Sequence, residues 1–376
     1  MPYWRLSSFY LFYFASLGAL IPYWGLYLKS IGFNVSDIGT MMAIIMATKI
    51  ISPNIWGWIA DHTGRRMAIV RLASFVGLLA FAGVFFTTSF FWLAVVMVLF
   101  SFFWNASLPQ FEATTFSHLA GQSHRYSSIR LWGSIGFIVA VWVLGKILEG
   151  HGISLLPAIL LLLFAGIWIS SLLVPENAAG HLSLDHVPLR KVLSRPEVVG
   201  LLVACFLMQA SHGPYYTFYS IYLTSFNYSL LFIGGLWALG VIAEVAIFLV
   251  MHRMTPRFGL RNLLLGSLLL ASLRWLIIGF YPQFLILIVF AQVLHAASFG
   301  IYHAVAIELI HRYFTGRHQG KGQALYSSLS FGAGGALGSF YSGYLFEGFG
   351  ALSMFIVAAI LSLVGFLTAW RYIPAR

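Results

Sequence analysis

Residues 57–66 read Gly-Trp-Ile-Ala-Asp-His-Thr-Gly-Arg-Arg and form a short polar break between two long apolar stretches, roughly 36–60 and 67–87. Its glycines allow a tight turn and close helix approach, and Asp61 can pair with a nearby arginine. Each flanking stretch has the roughly 20 mostly apolar residues that a membrane-spanning helix needs. The sequence here therefore predicts two helices that cross a bilayer in opposite directions, joined by a basic turn.

The composition extends this prediction to the whole chain. Of 376 residues, 60% are apolar and 8% are charged, whereas soluble domains average about 25% charged residues. The net charge of +11 is spread over many short segments, which argues against a nucleic-acid surface. Cys205 is the single cysteine, which excludes a disulfide framework and a cysteine-based metal site. The chain is therefore expected to be a polytopic membrane protein.

Twelve long apolar stretches can be counted, and most connectors between them are short. The exception, residues 175–197, is polar and divides the chain into an N-terminal six-helix bundle at 1–174 and a C-terminal six-helix bundle at 198–376. We therefore predict an all-α membrane protein with twelve transmembrane helices. The expected spans are roughly 6–28, 36–60, 67–87, 90–117, 127–148, 153–174, 198–223, 230–251, 261–280, 283–310, 323–346 and 351–371.

Lysine and arginine indicate the orientation, because cytoplasmic loops are enriched in them. One set of helix ends offers only Lys29 and Lys146, so we expect both termini and the linker on the other, cytoplasmic side. An even number of spans agrees with that arrangement. The basic residues on the cytoplasmic side are Arg5, Arg65, Arg66, Arg71, Arg125, Arg190, Lys191, Arg195, Arg253, Arg257, Arg261, Arg312, Arg317, Lys321, Arg371 and Arg376.

The two halves also repeat each other. Gly145-Lys-Ile-Leu-Glu-Gly recurs 198 residues later as Gly343-Tyr-Leu-Phe-Glu-Gly. Ile38-Gly39 recurs 195 residues later as Ile233-Gly234. This near-constant offset indicates two parallel six-helix repeats, an arrangement typical of transporters with a site near the membrane midplane.

The spacing Gly57-x-x-x-Asp61-x-x-Gly64-Arg65-Arg66 resembles the signature between the second and third spans of the major facilitator superfamily, with His62 where a basic residue is usual. The resemblance covers the whole chain and implies the major facilitator fold, with conformational gating by these five signature residues. Within the superfamily, the sequence is similar to the 3-phenylpropionate permeases and, more distantly, to the proton-coupled lactose permease. The supporting segments are Arg130-Leu-Trp-Gly-Ser-Ile-Gly-Phe, Gly240-Val-Ile-Ala-Glu-Val, Arg274-Trp and Gln292-Val-Leu-His295.

Ionisable residues inside spans are costly and mark functional sites by default. Glu112 and Arg130 lie at equal distances from the turn between spans 4 and 5, so an ion pair between them is expected. The pair would either bind substrate or hold the two helices together as a static structural contact. The lactose permease resemblance implies substrate binding. Lys49 and Glu244 lie 195 residues apart, at equivalent points of spans 2 and 8, and Lys49 would help to neutralise an organic anion.

The resemblance also implies a proton-coupling network on spans 8, 9 and 10, formed by Glu244, Arg274 and His295. An arginine that engages or leaves Glu244 would change the proton affinity of that carboxylate. The chain departs from lactose permease at Gln292 and Ser298, so Glu244 is the first candidate for the proton carrier. The other candidates are Glu112, His295 and His303.

Aromatic residues and one histidine complete the candidate substrate site. Trp104, Tyr215 and Trp237 could stack on an aromatic solute, although most such residues pack between helices. His212 is as readily a buried structural residue as a ligand. Scattered histidines without a carboxylate cluster do not suggest a metal site.

These features predict a secondary active transporter that imports a small solute with a proton by alternating access. It would be a monomer in a bacterial inner membrane, with no cofactor beyond the coupling proton. The resemblance implies an aromatic monocarboxylate such as 3-phenylpropionate. A neutral sugar or nucleoside is the alternative, because Glu112 and Arg130 also suit hydroxyl groups.

Other functional classes are less well supported. No Gly-x-x-x-x-Gly-Lys-Ser/Thr run occurs, which argues against direct ATP drive. An intramembrane enzyme would need a nucleophile–base or metal constellation that the sequence does not offer. A non-transporting membrane sensor stays open, since only the lack of a soluble signalling domain opposes it.

Overall fold

The computed structural model describes residues 2–119, 125–176, 189–315 and 318–375, and these residues form helices without a strand. The first half contains α1 (Tyr3–Ser30), α2 (Val35–Thr63), α3 (Arg66–Phe81), α4 (Phe90–Leu119), α5 (Tyr126–His151) and α6 (Leu156–Leu172). A short helix, α7 (Leu189–Leu193), precedes the second half. That half contains α8 (Pro196–Ser211), α9 (Gly213–Thr224), α10 (Leu230–Phe258), α11 (Leu260–Phe280), α12 (Leu285–Val293), α13 (Tyr302–Tyr313), α14 (His318–Ser327), α15 (Gly335–Phe349) and α16 (Ala351–Tyr372).

In the described part of the chain, eleven helical segments are long and apolar enough to cross a bilayer, and each coincides with a predicted span. Two of them are composite, with α8 and α9 forming Pro196–Thr224 and α12 and α13 lying within Leu285–Tyr313. The predicted span at 323–346 falls instead on α14, a π-helical stretch at Ser328–Gly334 and α15. A multi-spanning all-α membrane protein is thus confirmed, while the count of twelve and the side of the termini stay predictions.

The described residues pack as two compact units. The first contains α1–α6 and the start of α10, Tyr228–Ala238, and the second contains α7–α9, the rest of α10 and α11–α16. Residues 177–188 of the expected linker, as well as Arg317 and Arg376, lie outside the described residues. The predicted boundaries at 174 and 198 therefore stay a prediction.

The helix ends at Val174 and Ile373 are built alike in the two units. In the first, the Arg71 guanidinium on α3 donates to the Val174 carbonyl oxygen at 2.7 Å, just beyond the end of α6. In the second, Arg261 on α11 donates to the Ile373 carbonyl oxygen at 2.8 Å, just beyond α16. Both arginines satisfy carbonyls that a helix end leaves without partners. The ends of α6 and α16 are therefore stabilised in the same way in the two units.

Glycines bring α1 and α5 into backbone contact. A Cβ at Gly136 would overlap the Leu11 carbonyl group, and one at Gly18 would lie 2.9 Å from the Phe137 carbonyl oxygen. Small residues at such positions let membrane helices approach closely. This close packing sets the position of the α5 side chains against α1.

We expect Gly136→Val to destabilise the first unit, because the added side chain must displace the α1 backbone. The free energy of unfolding should fall by about 1–3 kcal/mol or more, measured as an earlier thermal transition of the purified protein in detergent. Gly266→Val on α11 is the matched control, since a Cβ at Gly266 meets no atom within 4 Å. Equal transitions for Gly136→Val and the wild type would contradict the packing described here.

The seventh span is interrupted at Pro214, between α8 and α9. A proline lacks the backbone N–H and leaves the carbonyl four residues earlier without its helical donor. That carbonyl belongs to Ala210 and accepts a hydrogen bond of 3.1 Å from the Tyr341 hydroxyl on α15. Gly213 and Gly338 make a backbone contact beside the break that leaves no room for a Cβ. The interruption is therefore satisfied by a neighbouring helix.

Candidate functional site

The signature loop connects three helices. Gly64 ends α2 in the left-handed conformation, with φ 67°, which glycine adopts without strain. Asp61 and Arg66 form an ion pair of 2.5 Å, and Arg66 also donates to Gln110 on α4 at 2.8 Å. Arg65 is exposed. The loop thus links the junction of α2 and α3 to α4 through Gln110. The Gln110 side chain also lies beside Gly57, where an added Cβ would be 3.6 Å from its nitrogen.

Glu112 and Arg130 lie close together near the ends of α4 and α5, but they do not form the direct ion pair expected from the sequence. Within the described residues, no carboxylate lies within ion-pair distance of Arg130. Its guanidinium instead lies over the Phe14 ring, 3.7 Å from the ring centroid. Glu112 accepts a hydrogen bond of 3.2 Å from the Tyr126 hydroxyl and still interacts with the charge of Arg130. Each of the two charged groups therefore has an aromatic residue as its direct partner.

Aromatic rings of α1 and α4 pack beside this pair. Trp104 stacks on Tyr13, with ring centroids 5.0 Å apart, and Tyr10 faces Arg130 at 5.8 Å. Trp104 also lines a cavity of about 10 Å³ with Ser74, which is close to the space that one water molecule needs. That cavity is too small for an aromatic acid. A substrate-stacking role for Trp104 stays a prediction.

Lys49 occupies the midpoint of α2, 14 residues from either end. That position is about 21 Å from each helix end at 1.5 Å per residue, beyond the reach of a lysine side chain. Nearby links between α2 and α4 are neutral: Thr48 donates to Ser101 at 2.9 Å, and Asn105 donates to Thr48 at 2.9 Å. Lys49 itself has no hydrogen-bond or ion-pair partner among the described side chains.

Arg274 on α11 is completely buried and surrounded by neutral acceptors. It donates to the Ala291 carbonyl oxygen at 2.9 Å, to His295 Nδ1 and Ser298 Oγ at 3.0 Å, and to Gln292 Oε1 at 3.1 Å. A buried cation is tolerated only when its donors are satisfied in this way. The carboxylate and lysine of lactose permease are thus replaced by two neutral groups that both bind Arg274.

Glu244, at the midpoint of α10, completes this cluster. His295 Nε2 lies 3.7 Å from a Glu244 carboxylate oxygen. Because an arginine can only donate, His295 Nδ1 must accept from Arg274, and a neutral His295 therefore carries its proton on Nε2. The proton of the ring thus faces Glu244. The structure brings together Glu244, His295 and Arg274, as the resemblance implied.

Tyr215 and His212 on the seventh span lie against the same cluster. The Tyr215 ring faces the Arg274 guanidinium at 4.2 Å, and its hydroxyl donates to Gln292 Oε1 at 3.2 Å. His212 is buried, is hydrogen-bonded through Nδ1 to the Met208 carbonyl oxygen at 2.8 Å, and has its ring 4.8 Å from that of Trp275. Both residues therefore lie beside the proton-coupling candidates, and their role in substrate binding stays a prediction.

His303 lies two turns beyond His295, on the far side of a π-helical stretch at Ala296–Ile301. Phe299 is stacked between the two imidazoles, at centroid distances of 5.4 and 5.7 Å. His303 Nδ1 is hydrogen-bonded to the Tyr326 hydroxyl at 2.9 Å. A π-helical turn inside a span is often a functional feature. His303 thus has a polar environment of its own, separated from His295 by an aromatic ring.

Trp237 is buried, in the part of α10 that packs with the first unit. Among the described residues, no group of three or more metal-ligating side chains occurs.

Four partners of the candidate residues were not predicted as site residues: Phe14, Tyr126, Gln292 and Ser298. Three of them have a sequence signal. Tyr126 and Arg130 are four residues apart and share a helix face. Gln292 precedes His295 by three residues on such a face, and Ser298 follows it by three. Phe14 carries no signal, since its contact with Arg130 depends on how α1 packs against α5.

Comparison with known proteins agrees with this architecture. The MFS_1 like family matches residues 3–357. A protein of Escherichia coli strain K12 named as a probable 3-phenylpropionic acid transporter is 27% identical over 98% of both chains. The maltose permease of Geobacillus stearothermophilus is 28% identical over 96% of this chain and 93% of its own.

Solved structures show the same fold. A crystal structure of a variant of the nucleoside transporter NupG superposes with a TM-score of 0.89 at 17% identity, covering 99% of this chain and 100% of that one. A bacterial homologue of the lysosomal transporter Spinster gives a TM-score of 0.76 at 13% identity, covering 99% and 98%. These relatives are transporters and not enzymes. The chain belongs to the MFS_1 like family and is a multi-pass membrane transporter of the major facilitator superfamily.

Proposed function

We propose that this transporter is a proton-coupled symporter that imports an aromatic monocarboxylate, such as 3-phenylpropionate, by alternating access in a bacterial inner membrane. The observation that carries the proposal is the Arg130 guanidinium, which lies on Phe14 without a carboxylate at ion-pair distance among the described residues. A guanidinium is suited to bind a carboxylate through two parallel hydrogen bonds. The rings of Tyr10 and Phe14 around it suit an aromatic solute.

Proton coupling is proposed for the cluster around Arg274. His295 directs its Nε2 proton toward Glu244, and Arg274 fixes that tautomer through Nδ1. A proton bound by Glu244 would remove the charge that offsets Arg274, so protonation and the arrangement of this cluster are linked. The proton would be the coupling ion, and no other cofactor is required. His303, hydrogen-bonded to Tyr326, would extend the network.

The remaining architectural proposals follow the superfamily. We propose that α14 and α15 form the remaining span, which gives twelve spans with both termini in the cytoplasm and the N-terminal and C-terminal bundles separated by 175–197. The signature residues would gate conformational change through the Asp61–Arg66 pair. We propose that the transporter acts as a monomer.

The named substrate of one relative supports the choice of cargo, since a probable 3-phenylpropionic acid transporter matches nearly the whole chain. A neutral sugar or nucleoside is the second candidate. Glu112 favours it, because its carboxylate accepts from Tyr126 and could equally accept from a sugar hydroxyl. The maltose permease relative agrees with this alternative.

Uptake into proteoliposomes under an inward proton gradient distinguishes these candidates. We expect saturable, protonophore-sensitive uptake of labelled 3-phenylpropionate, and no comparable uptake of maltose or uridine. Initial rates should be compared with protein-free vesicles, because a weak acid also crosses bilayers unaided in its neutral form. A proton gradient of one pH unit supports about tenfold accumulation for each coupled proton.

Gradient-driven uptake of maltose or uridine instead of the acid would retain proton coupling and exclude the carboxylate assignment. Saturable uptake of the acid that ignores the protonophore would exclude proton coupling and retain the cargo.

A further inference from the structure

We infer that Phe14 is a positioning residue for the substrate arginine: its ring holds Arg130 by the face of the guanidinium and keeps it from pairing with Glu112. The inference rests on the proposed function, because it concerns how the same transporter keeps Arg130 available to a carboxylate. It begins from a contrast between Arg130 and Arg274, the arginines of the two candidate clusters.

The N–H groups of these two arginines are used differently. Arg274 is buried and donates to four acceptors of the protein. Arg130 is half-buried, and among the described residues its guanidinium donates to no protein acceptor and forms no ion pair. It lies instead on the Phe14 ring, 3.7 Å from the ring centroid. A ring on the face of a guanidinium attracts the charge without using its N–H donors, which stay available to a ligand.

Gly133 provides the space for this contact. It lies three residues after Arg130 on α5, on the same face of the helix. A Cβ at Gly133 would be 2.6 Å from Arg130 Nη1 and 2.8 Å from Phe14 Cδ2. The guanidinium and the ring therefore both occupy the space that a side chain at this position would fill. The seat of Arg130 is thus formed by two helices, α1 through Phe14 and α5 through Gly133.

Glu112 is the group that would otherwise bind Arg130. It is bonded to the Tyr126 hydroxyl at 3.2 Å, and Tyr126 precedes Arg130 by one turn of α5, a rise of about 5–6 Å. The Tyr126 ring is itself stacked on Phe116 of α4, with centroids 4.5 Å apart. The carboxylate is therefore near Arg130 but is held by a neutral donor, outside ion-pair distance.

A direct ion pair between Glu112 and Arg130 would compete with an acid for the same donors. Opposite charges attract strongly where the dielectric constant is low, and a carboxylate can occupy the guanidinium fork with both oxygens. An incoming acid would then have to break that pair before it could bind. Because Phe14 fixes the arginine away from Glu112, the acid meets a preorganised guanidinium whose donors are not already bonded.

Calorimetric titration of the purified full-length protein with 3-phenylpropionate tests this inference. Phe14→Leu and Phe14→Met fill the space of the ring without an aromatic face, so Arg130 should turn to Glu112. The Kd for the acid should then rise by about tenfold, the order of a lost cation–π contact. Phe14→Tyr keeps the ring and should bind the acid with nearly wild-type affinity. Phe91→Leu, the same change at an exposed phenylalanine of α4, should have no effect.

The decisive measurement repeats Phe14→Leu in a Glu112→Gln background. A neutral amide competes for Arg130 much less than a carboxylate does, so most of the loss caused by Phe14→Leu should disappear there. Such non-additivity shows that the ring acts through the Glu112–Arg130 pair. A ring that only packed α1 against α5, or only stacked on the aromatic end of the acid, would cost the same factor in both backgrounds. The thermal transition of each variant in detergent verifies that it is folded.

Equal losses in the two backgrounds would overturn the inference, and so would wild-type affinity in both Phe14→Leu and Phe14→Met. Either result would leave the proposed cargo standing, since the wild type still binds the acid. Unfolding of both variants would make Phe14 a packing residue and would also contradict the inference. No saturable binding of the acid by the wild type would overturn the inference together with the proposed cargo, and this failure is recognised before any variant is measured.

Discussion

Replacing Arg130 with alanine is expected to reduce 3-phenylpropionate uptake by about 100-fold or more, since the variant loses a bidentate charged contact and leaves Glu112 uncompensated. Arg130→Lys should retain part of the uptake, because it keeps the charge but loses the planar fork that matches a carboxylate. Initial uptake rates in proteoliposomes, normalised to the amount of folded protein in detergent, provide the measurement.

Arg253→Ala is the control for this prediction, because Arg253 is an exposed arginine near the end of α10. It should transport like the wild type. Wild-type uptake by Arg130→Ala would exclude Arg130 from the substrate site. Its stacking on Phe14 would then be a structural contact between α1 and α5.

Replacing Glu244 with glutamine should lower by one the number of protons that enter with each acid molecule. Glutamine keeps the shape of the side chain and can still accept a hydrogen bond from His295. Unlike a carboxylate, its neutral amide does not bind a proton in this pH range. Exchange of internal for external substrate should therefore persist. The measurement compares labelled acid uptake with acidification reported by a dye trapped inside the vesicles.

Glu308→Gln serves as the control here, because Glu308 is an exposed glutamate paired with Arg312 on α13. Its ratio of protons to acid should match the wild type. An unchanged ratio of protons to acid in Glu244→Gln would assign the coupling site to Glu112 or to the histidines. Loss of substrate exchange would mean that the variant cannot change between its inward-open and outward-open conformations.

Much of the fold could be predicted from hydropathy, because a span is a long local signal. Eleven predicted spans coincide with helical segments, whereas 323–346 was the least regular of them and contains a π-helical stretch. An extra residue in a helical turn depends on packing across to other helices, as Phe331 packs against Phe299 at 6.2 Å. Single-sequence periodicity does not contain that information.

The site was less predictable, for a geometric reason. Sequence spacing gave the depth of Glu112 and Arg130 but not the rotation of their helices. That rotation is set by the Gly136 contact with Leu11, and it directs Arg130 onto Phe14. For the second cluster, the family resemblance brought together Glu244, Arg274 and His295. It could not indicate that neutral Gln292 and Ser298 would satisfy Arg274.

The break at Pro214 has a mechanical consequence. Most helices are stiff because of their own backbone hydrogen bonds. Here one of those bonds is replaced by a hydrogen bond from the Tyr341 hydroxyl on another helix. Bending α8 against α9 without moving α15 would break the hydrogen bond from the Tyr341 hydroxyl to the Ala210 carbonyl, in a solvent that offers no replacement donor. We therefore expect bending at Pro214 to be coupled to movement of α15, because Tyr341 on that helix stabilises the interrupted turn.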